Sequence, residues 1–389
     1  MSRRVAIVGV AQTKFEENKS PLWQGDLAYE PIEKVLQETG LNYQDRIEEG
    51  FGIDRILTSM EDHFVGRACN PFWIHHYLGG FRMSHDCVSA DSAFAVYHAV
   101  IDILSGHYDT VLVVSMVKES DTSIPPVENC YFDHIFLQPL GLDYLSASAL
   151  QAQRYMHRYG ISPEQCAMVA VKNRKNARNN PYAQEPLDIT VEDVLKSKML
   201  ASPIRVLDSK PPVSDGACAL ILTTEEKAKK ITDKPIWVEG IGNCYDSHYL
   251  GDRDLADCAS LVSAAKKAYD MAGIHDPLSE IHVAEISGDY SYQELLWSEG
   301  LGFCERGEGG NFMEKGFSQM SGILPINPSG GVLAGNPIAV AGSARVVEAV
   351  TQLRGEAGER QVEDRVNVAL AHGFTGACGQ SHCVLILSK

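Results

Sequence analysis

The residue whose type and setting best suit covalent chemistry is Cys87, in the stretch SHDCVSADSAFAVYHAVIDILSG at residues 84–106. Behind it run Val88, Ala90, Ala93, Phe94, Val96, Val100, Ile101, Ile103 and Leu104, apolar on nearly every side of a helical wheel. That pattern predicts a helix with no wet face, opened by Cys87 and stopped by Gly106. A thiol at a helix N-terminus lies beside unpaired amides and the positive end of the dipole, which favours the nucleophilic thiolate. A second group of interest is ALAHGFTGACGQSH, where His372 follows a buried strand and precedes a Gly-rich turn that carries Cys378. Turns at strand ends are where α/β proteins place reactive groups. His85, two residues before Cys87, shares its side of an extended chain and is expected to pack rather than react. His75, His76 and His382 show no ligand spacing and are read as structural.

Other chemistries drop out. GEGGN and NPSGG are Gly-rich but lack the Lys-Ser/Thr ending of a phosphate loop, and VSMVKES is no serine-hydrolase elbow. The net charge of −17 and the absence of a strong basic cluster argue against nucleic acid. The densest positive run, KNRKNAR, contains Lys172, Arg174, Lys175 and Arg178. It is read first as a solvated helix face and second as an attraction for phosphates. Ten cysteines without a Cys-x-x-Cys pair argue against a zinc ribbon or a disulfide framework.

The elements that must position these groups alternate strand and helix, which implies α/β layers. DTVLVVSMV, at residues 109–117, has the β-branched density of a buried parallel strand. RRVAIVGVAQT at residue 3 and KPIWVEGIGNC at residue 234 begin alike. Each is followed by a buried helix and strand: the Cys87 helix and DTVLVVSMV in the first half, GNPIAVAGSARVVEAVTQLRG and RVNVALAHGF in the second. Pro337 fits the first helical position there, with Asn336 as its cap. The chain thus reads as a duplication, with halves at 1–235 and 236–389. A Pro-rich, polar stretch at about 118–210 reads as a lid or loop domain inserted in the first half, with a helix capped by Ser162. With 389 residues, 44% of them hydrophobic, and no apolar run near the ~20 residues of a membrane span, the chain is expected to be cytoplasmic.

Five stretches in order, VAIVGVAQTKF, NPYAQ, PPVSDGACALILTTEEKAK, LLWSEGLGFCERGEGG and INPSGGVLAGNPIAVAG, resemble the thiolase superfamily, in its sterol-carrier and archaeal-type branch. The resemblance implies the five-layered αβαβα thiolase fold, built from two similar βαβαβαββ halves. It implies an acyltransferase that cleaves a β-ketoacyl-CoA with CoA through an acyl-cysteine, Cys87 being the nucleophile. CoA is then the second substrate, held by the lid, and no metal is expected in this chain. The sequence departs from the family at Gly335-Asn336-Pro337, where a Gly-His-Pro is usual. Asn336 can donate to an oxyanion but cannot take a proton. It departs again at Ser287-Gly288, where the branch carries a second histidine. His372 is then preferred as general base, with Cys378, in a turn where the family often keeps a catalytic cysteine, as the reserve. The resemblance further implies a homodimer core and a small zinc-binding OB-fold partner, giving a heterotetramer. The lost histidine suits a bulky branched substrate such as 2-benzoylsuccinyl-CoA. Acetoacetyl-CoA-type Claisen condensation and a non-catalytic acyl-CoA scaffold are the alternatives.

Overall fold

The structure is a computed structural model and describes residues 3–43, 52–66, 69–335, 337–363 and 366–389. The described residues form eleven strands: β1 (Val5–Gln12), β2 (Arg55–Ser59), β3 (Ser84–Val88), β4 (Thr110–Lys118), β5 (Met199–Ala201), β6 (Ile204–Arg205), β7 (Asp215–Thr224), β8 (Ile236–Tyr245), β9 (Val283–Ile286), β10 (Val368–Thr375) and β11 (Ser381–Ser388). Seven described helices reach ten residues or more: α1 (Gln24–Thr39), α2 (Ser92–Ser105), α3 (Tyr144–Tyr159), α4 (Pro163–Ala177), α5 (Ala259–Ala272), α6 (Ser291–Gly300) and α7 (Ala341–Arg354).

Nine strands join in the order β3-β2-β4-β7-β1-β8-β11-β10-β9. The sheet contains the same arrangement twice. In the first half β2 runs parallel to β4, β4 antiparallel to β7 and β7 antiparallel to β1. In the second half β9 is parallel to β10, β10 antiparallel to β11 and β11 antiparallel to β8. The edge strand β3 has only a weak counterpart, a parallel bridge between Ala284 and Ile326. The halves meet where β1 pairs with β8 through Ala6–Trp237 and Ile7–Ile236.

Alternation along each strand sets the layers. On β4, Val111, Val113 and Val117 face the core shared with α2 and α7, while Leu112, Val114 and Met116 pack on the α1 side. The inner residues of β10 and β11 join the same central core, and their outer residues pack with α5, α6 and the inserted segment. The layers therefore run α1, first half-sheet, α2 with α7, second half-sheet, and α5 with α6. Burial on both faces explains why β4 reads as an apolar run interrupted only by Ser115 between Val111 and Val117.

The residues between β4 and β7 form the insertion, and its helices α3 and α4 pack against the second half. Here the reading of KNRKNAR is corrected. Lys172 and Arg174 are neither solvated nor open to phosphate. The Lys172 ammonium bonds Glu294 at 2.5 Å and the Ile326 carbonyl at 2.8 Å, and Arg174 bonds Glu185 at 2.6 Å, with both basic side chains buried. Only Lys175 and Arg178 of the run are exposed.

Both buried helices start later than the sequence suggests. Cys87 lies inside β3, paired with Thr58 of β2, and α2 begins at Ser92 with Asp91 as its cap. Nor is α2 dry all round, since Ile101 and Leu104 remain 40% and 37% exposed. α7 begins at Ala341 rather than Pro337, because Ala339 adopts a left-handed φ of 64° that interrupts the helix. Asn336 lies outside the described residues.

Candidate active site

A small cleft of about 50 Å³ opens where strand ends from both halves meet the N-termini of α2 and α7. Its walls come from six places. Glu61 follows β2. Asp91 precedes α2, and Ala339 and Ala341 precede and open α7. Ser287 and Asp289 follow β9, while Phe374 and Thr375 end β10 and Gly376 follows it. The insertion covers the opening with Glu128, Tyr131, Tyr144 and Lys210. Glu128, Tyr144 and Lys210 also line a larger neighbouring cavity of about 520 Å³, bounded in addition by Ile124, Leu145 and Val213.

Carboxylates, tyrosines and one lysine dominate the polar lining. Tyr131 donates a hydrogen bond to Glu61. Tyr144 donates to Asp289 at 2.9 Å, and the Lys210 ammonium bonds Glu128 at 2.8 Å and approaches Asp289 at 4.0 Å. Burial works against the Lys210 charge, but Asp289, Glu128 and Glu119 together outweigh it and raise the ammonium pKa. Burial lifts Glu61 to about 7 against the hydrogen bond from Tyr131. It lifts Asp91 to about 6 against bonds from the amides of Ala93 and Gly342. Glu119, buried beneath the cleft, rises to about 8 while accepting the amides of Ser214 and Ile338. The Ser287 hydroxyl lies in the wall without a hydrogen-bond partner among the described residues.

The residues singled out in sequence do not gather in this cleft. Cys87 is half-buried at the end of β3, packed on the α1 side of the sheet, with its thiol 3.5 Å from the Met60 carbonyl. Its pKa is raised, by burial first and by Asp62 and Glu61 after it, so the expectation of a thiolate-favouring helix terminus is corrected. The physical reason is the four-residue gap between the thiol and the first helical turn, where Asp91 already accepts the Ala93 amide. His85 shares the extended strand and bonds the Thr58 hydroxyl at 3.0 Å. His372 lies within β10, not after it, fully buried, its Nε2 2.9 Å from Nδ1 of His382. Burial drives His372 down to about 3. Cys378 is buried in the β10–β11 turn at φ 55° and pushed up to about 12 by burial. Neither His372 nor Cys378 lines the cleft.

Sequence reasoning missed Glu61, Asp91, Tyr131, Tyr144, Lys210 and Asp289. Asp91 alone left a local signal, since an Asp before Ser-Ala-Phe reads as an N-cap. Glu61 and Tyr131 are 70 residues apart and no period connects them.

Two repeated α/β halves clasp a pair of buried helices whose N-termini open into one acid-rich cleft, the architecture of a duplicated α/β enzyme. The chain belongs to the thiolase family, whose members are CoA-dependent acyltransferases: residues 5–226 match the thiolase N-terminal domain and residues 242–389 the thiolase C-terminal domain-like family. It is 34% identical to an acetyl-CoA acetyltransferase of Methanothermobacter thermautotrophicus, over 100% of both chains. It is 35% identical to the benzoylsuccinyl-CoA thiolase subunit BbsB of Thauera aromatica, over 97% of this chain and 96% of that one. Among solved structures, an Ltp2-ChsH2(DUF35) aldolase superposes with a TM-score of 0.83 at 25% identity, covering 99% of this chain and 97% of the other. No described helix is long and apolar enough to cross a membrane.

Proposed function

We propose that the chain cleaves a β-ketoacyl-CoA with CoA, by way of an acyl group carried on Cys87, and that its substrate is 2-benzoylsuccinyl-CoA, released as benzoyl-CoA and succinyl-CoA. The observation that carries the thiolytic reading is the match of residues 5–226 and 242–389 to the two thiolase domains, and the ionisable groups beside the paired N-termini of α2 and α7 supply acid and base groups for it. The 35% identity to the benzoylsuccinyl-CoA thiolase subunit supports the substrate. The cavity of about 520 Å³ beside the cleft has room for an aromatic acyl group. Asn336 would help hold the oxyanion. The same relative is called a subunit, and the aldolase structure contains a DUF35 protein, which supports a small zinc-binding OB-fold partner on a homodimer core.

Intact-mass analysis after incubation with 2-benzoylsuccinyl-CoA, with the partner present, tests this reading. A benzoyl adduct that maps to Cys87 and vanishes in Cys87→Ser supports it. Turnover that survives Cys87→Ser sinks it.

A second reading, retro-aldol cleavage of a β-hydroxyacyl-CoA, draws on one observation: Cys87 packs on the α1 side of the sheet while tyrosine–carboxylate pairs line the cleft. Such a reaction needs acid and base groups but no nucleophilic thiol. Aldehyde or ketone release without CoA consumption would distinguish it.

A further inference from the structure

The cleft contains no imidazole among its described lining residues. His372 and His382 are sealed in the second half-sheet and bonded to each other. A proton must nevertheless leave a thiol and reach a carbon when a β-ketoacyl thioester is split. The cleft carboxylates differ in how they are engaged. Asp91 gives both oxygens to helix amides. Glu128 is tied to Lys210, and Asp289 to Tyr144. Glu61, 5% exposed, lines the cleft, and its carboxylate accepts a hydrogen bond from Tyr131. It also follows Met60, whose carbonyl accepts the Cys87 thiol, and its charge acts on that thiol.

We propose that Glu61, oriented by Tyr131, is the group that takes and returns the proton during carbon–carbon bond cleavage in this cleft. The proposal rests on the thiolytic reading given above and supplies its missing acid–base residue. In the first half-reaction Glu61 takes the thiol proton of Cys87 as sulfur bonds the ketone carbon. The carbon–carbon bond then breaks, and its electron pair stays on the α carbon of the departing thioester. Glu61 returns the proton to that carbon. In the second half-reaction the proton of the CoA thiol passes through Glu61 to the Cys87 sulfur as the acyl group moves to CoA. Across both steps one proton leaves CoA and one arrives on the α carbon.

The surroundings suit the task. Burial raises the Glu61 carboxyl to about 7, with Asp91 and Glu128 adding to the rise, and Tyr131 and Lys210 opposing it. A base poised near the working pH transfers protons most effectively. Tyr131 is a positioning residue, since it acts through Glu61.

The test uses the chain with its partner, 2-benzoylsuccinyl-CoA and CoA, and follows kcat and KM against pH for the wild type, Glu61→Gln and Tyr131→Phe. Melting curves confirm that each variant is folded. Glu61→Gln is expected to lower kcat by about 10²–10⁴-fold with KM little changed, and to lose the acid limb of the profile. Tyr131→Phe is expected to keep that limb and move it to higher pH, because the hydrogen bond it removes holds the Glu61 pKa down. A folded Glu61→Gln that keeps both the rate and the acid limb overturns the proposal. If the wild type turns over none of this substrate, the thiolytic reading fails by itself. Infrared titration of the protein with succinyl-CoA then decides Glu61. A carboxyl band that titrates near pH 7, shifts with the thioester and is missing in Glu61→Gln supports its proton-bearing role, and no such band overturns it.

Discussion

Asp91 of the first half accepts the backbone amide of Gly342 of the second half at 2.9 Å, across 251 residues of sequence. Its other carboxylate oxygen accepts the Ala93 amide, also at 2.9 Å. One side chain therefore caps both buried helices, and the Ser92 hydroxyl adds a bond from the Ser343 amide at 2.7 Å. Residue 342 has to be glycine, because a Cβ there would stand 1.9 Å from an Asp91 oxygen. The seam between the halves and the rear wall of the cleft are the same structure.

Loss of this seam should be costly. Asp91→Ala removes two charge-assisted caps from buried helix ends and is expected to destabilise the fold by about 2–4 kcal/mol. Gly342→Ala is expected to destabilise through steric displacement of the same carboxylate. Urea unfolding of both variants checks this. Wild-type stability in Asp91→Ala would show that the helix ends find other partners.

Cys87 should react slowly with alkylating agents. Burial and the nearby carboxylates of Asp62 and Glu61 raise its pKa, so little thiolate exists at neutral pH. Iodoacetamide labelling, followed by peptide mass spectrometry, is expected to accelerate with pH and show no plateau below pH 9. A plateau near pH 7 would mean that the thiol is activated in the free protein.

The buried histidine pair should make the protein sensitive to acid. His372 falls from an ordinary value of 6.5 to about 3, and His382 falls well below 6.5, both mainly by burial. Below pH 6.5 the unfolded chain binds protons that the folded one refuses, so this contribution to stability is lost as pH falls from 6.5 toward 3. Glu61, Asp91 and Glu119 act in the opposite sense. Their folded values are raised, so the folded chain holds more protons and their contribution declines as pH rises from about 4 to 8. His372→Gln is expected to flatten the acid side of a stability–pH curve measured by urea unfolding. An unchanged slope would place the acid sensitivity elsewhere.

Lys172 should matter for folding and not for CoA. Lys172→Met leaves Glu294 buried without its cation, at a cost of about 3–5 kcal/mol. Denaturation should show that loss, while KM for CoA in the folded fraction stays within about two-fold. A raised KM at unchanged stability would return Lys172 to a phosphate-binding role.

The sequence by itself determined the layered α/β architecture and its duplication. These depend on local period and burial, which leave a mark in every strand and helix. β4, buried on both faces, could be read from its own residues, and the likeness of β1 to β8 was visible in the paired strand-and-glycine openings. Helix starts were less legible. Asp91 and Ala339 delay α2 and α7 through one hydrogen-bonded cap and one left-handed residue, each a single-residue event that apolar periodicity does not register. Only the tertiary structure decided which ionisable groups share a cleft. Glu61 and Tyr131, or Tyr144 and Asp289, meet because the insertion folds back over strand ends from both halves, and no local rule encodes that approach. The same packing sealed His372 inside the second half-sheet and turned Lys172 inward, since whether a polar side chain is wet or buried depends on what the rest of the chain places over it.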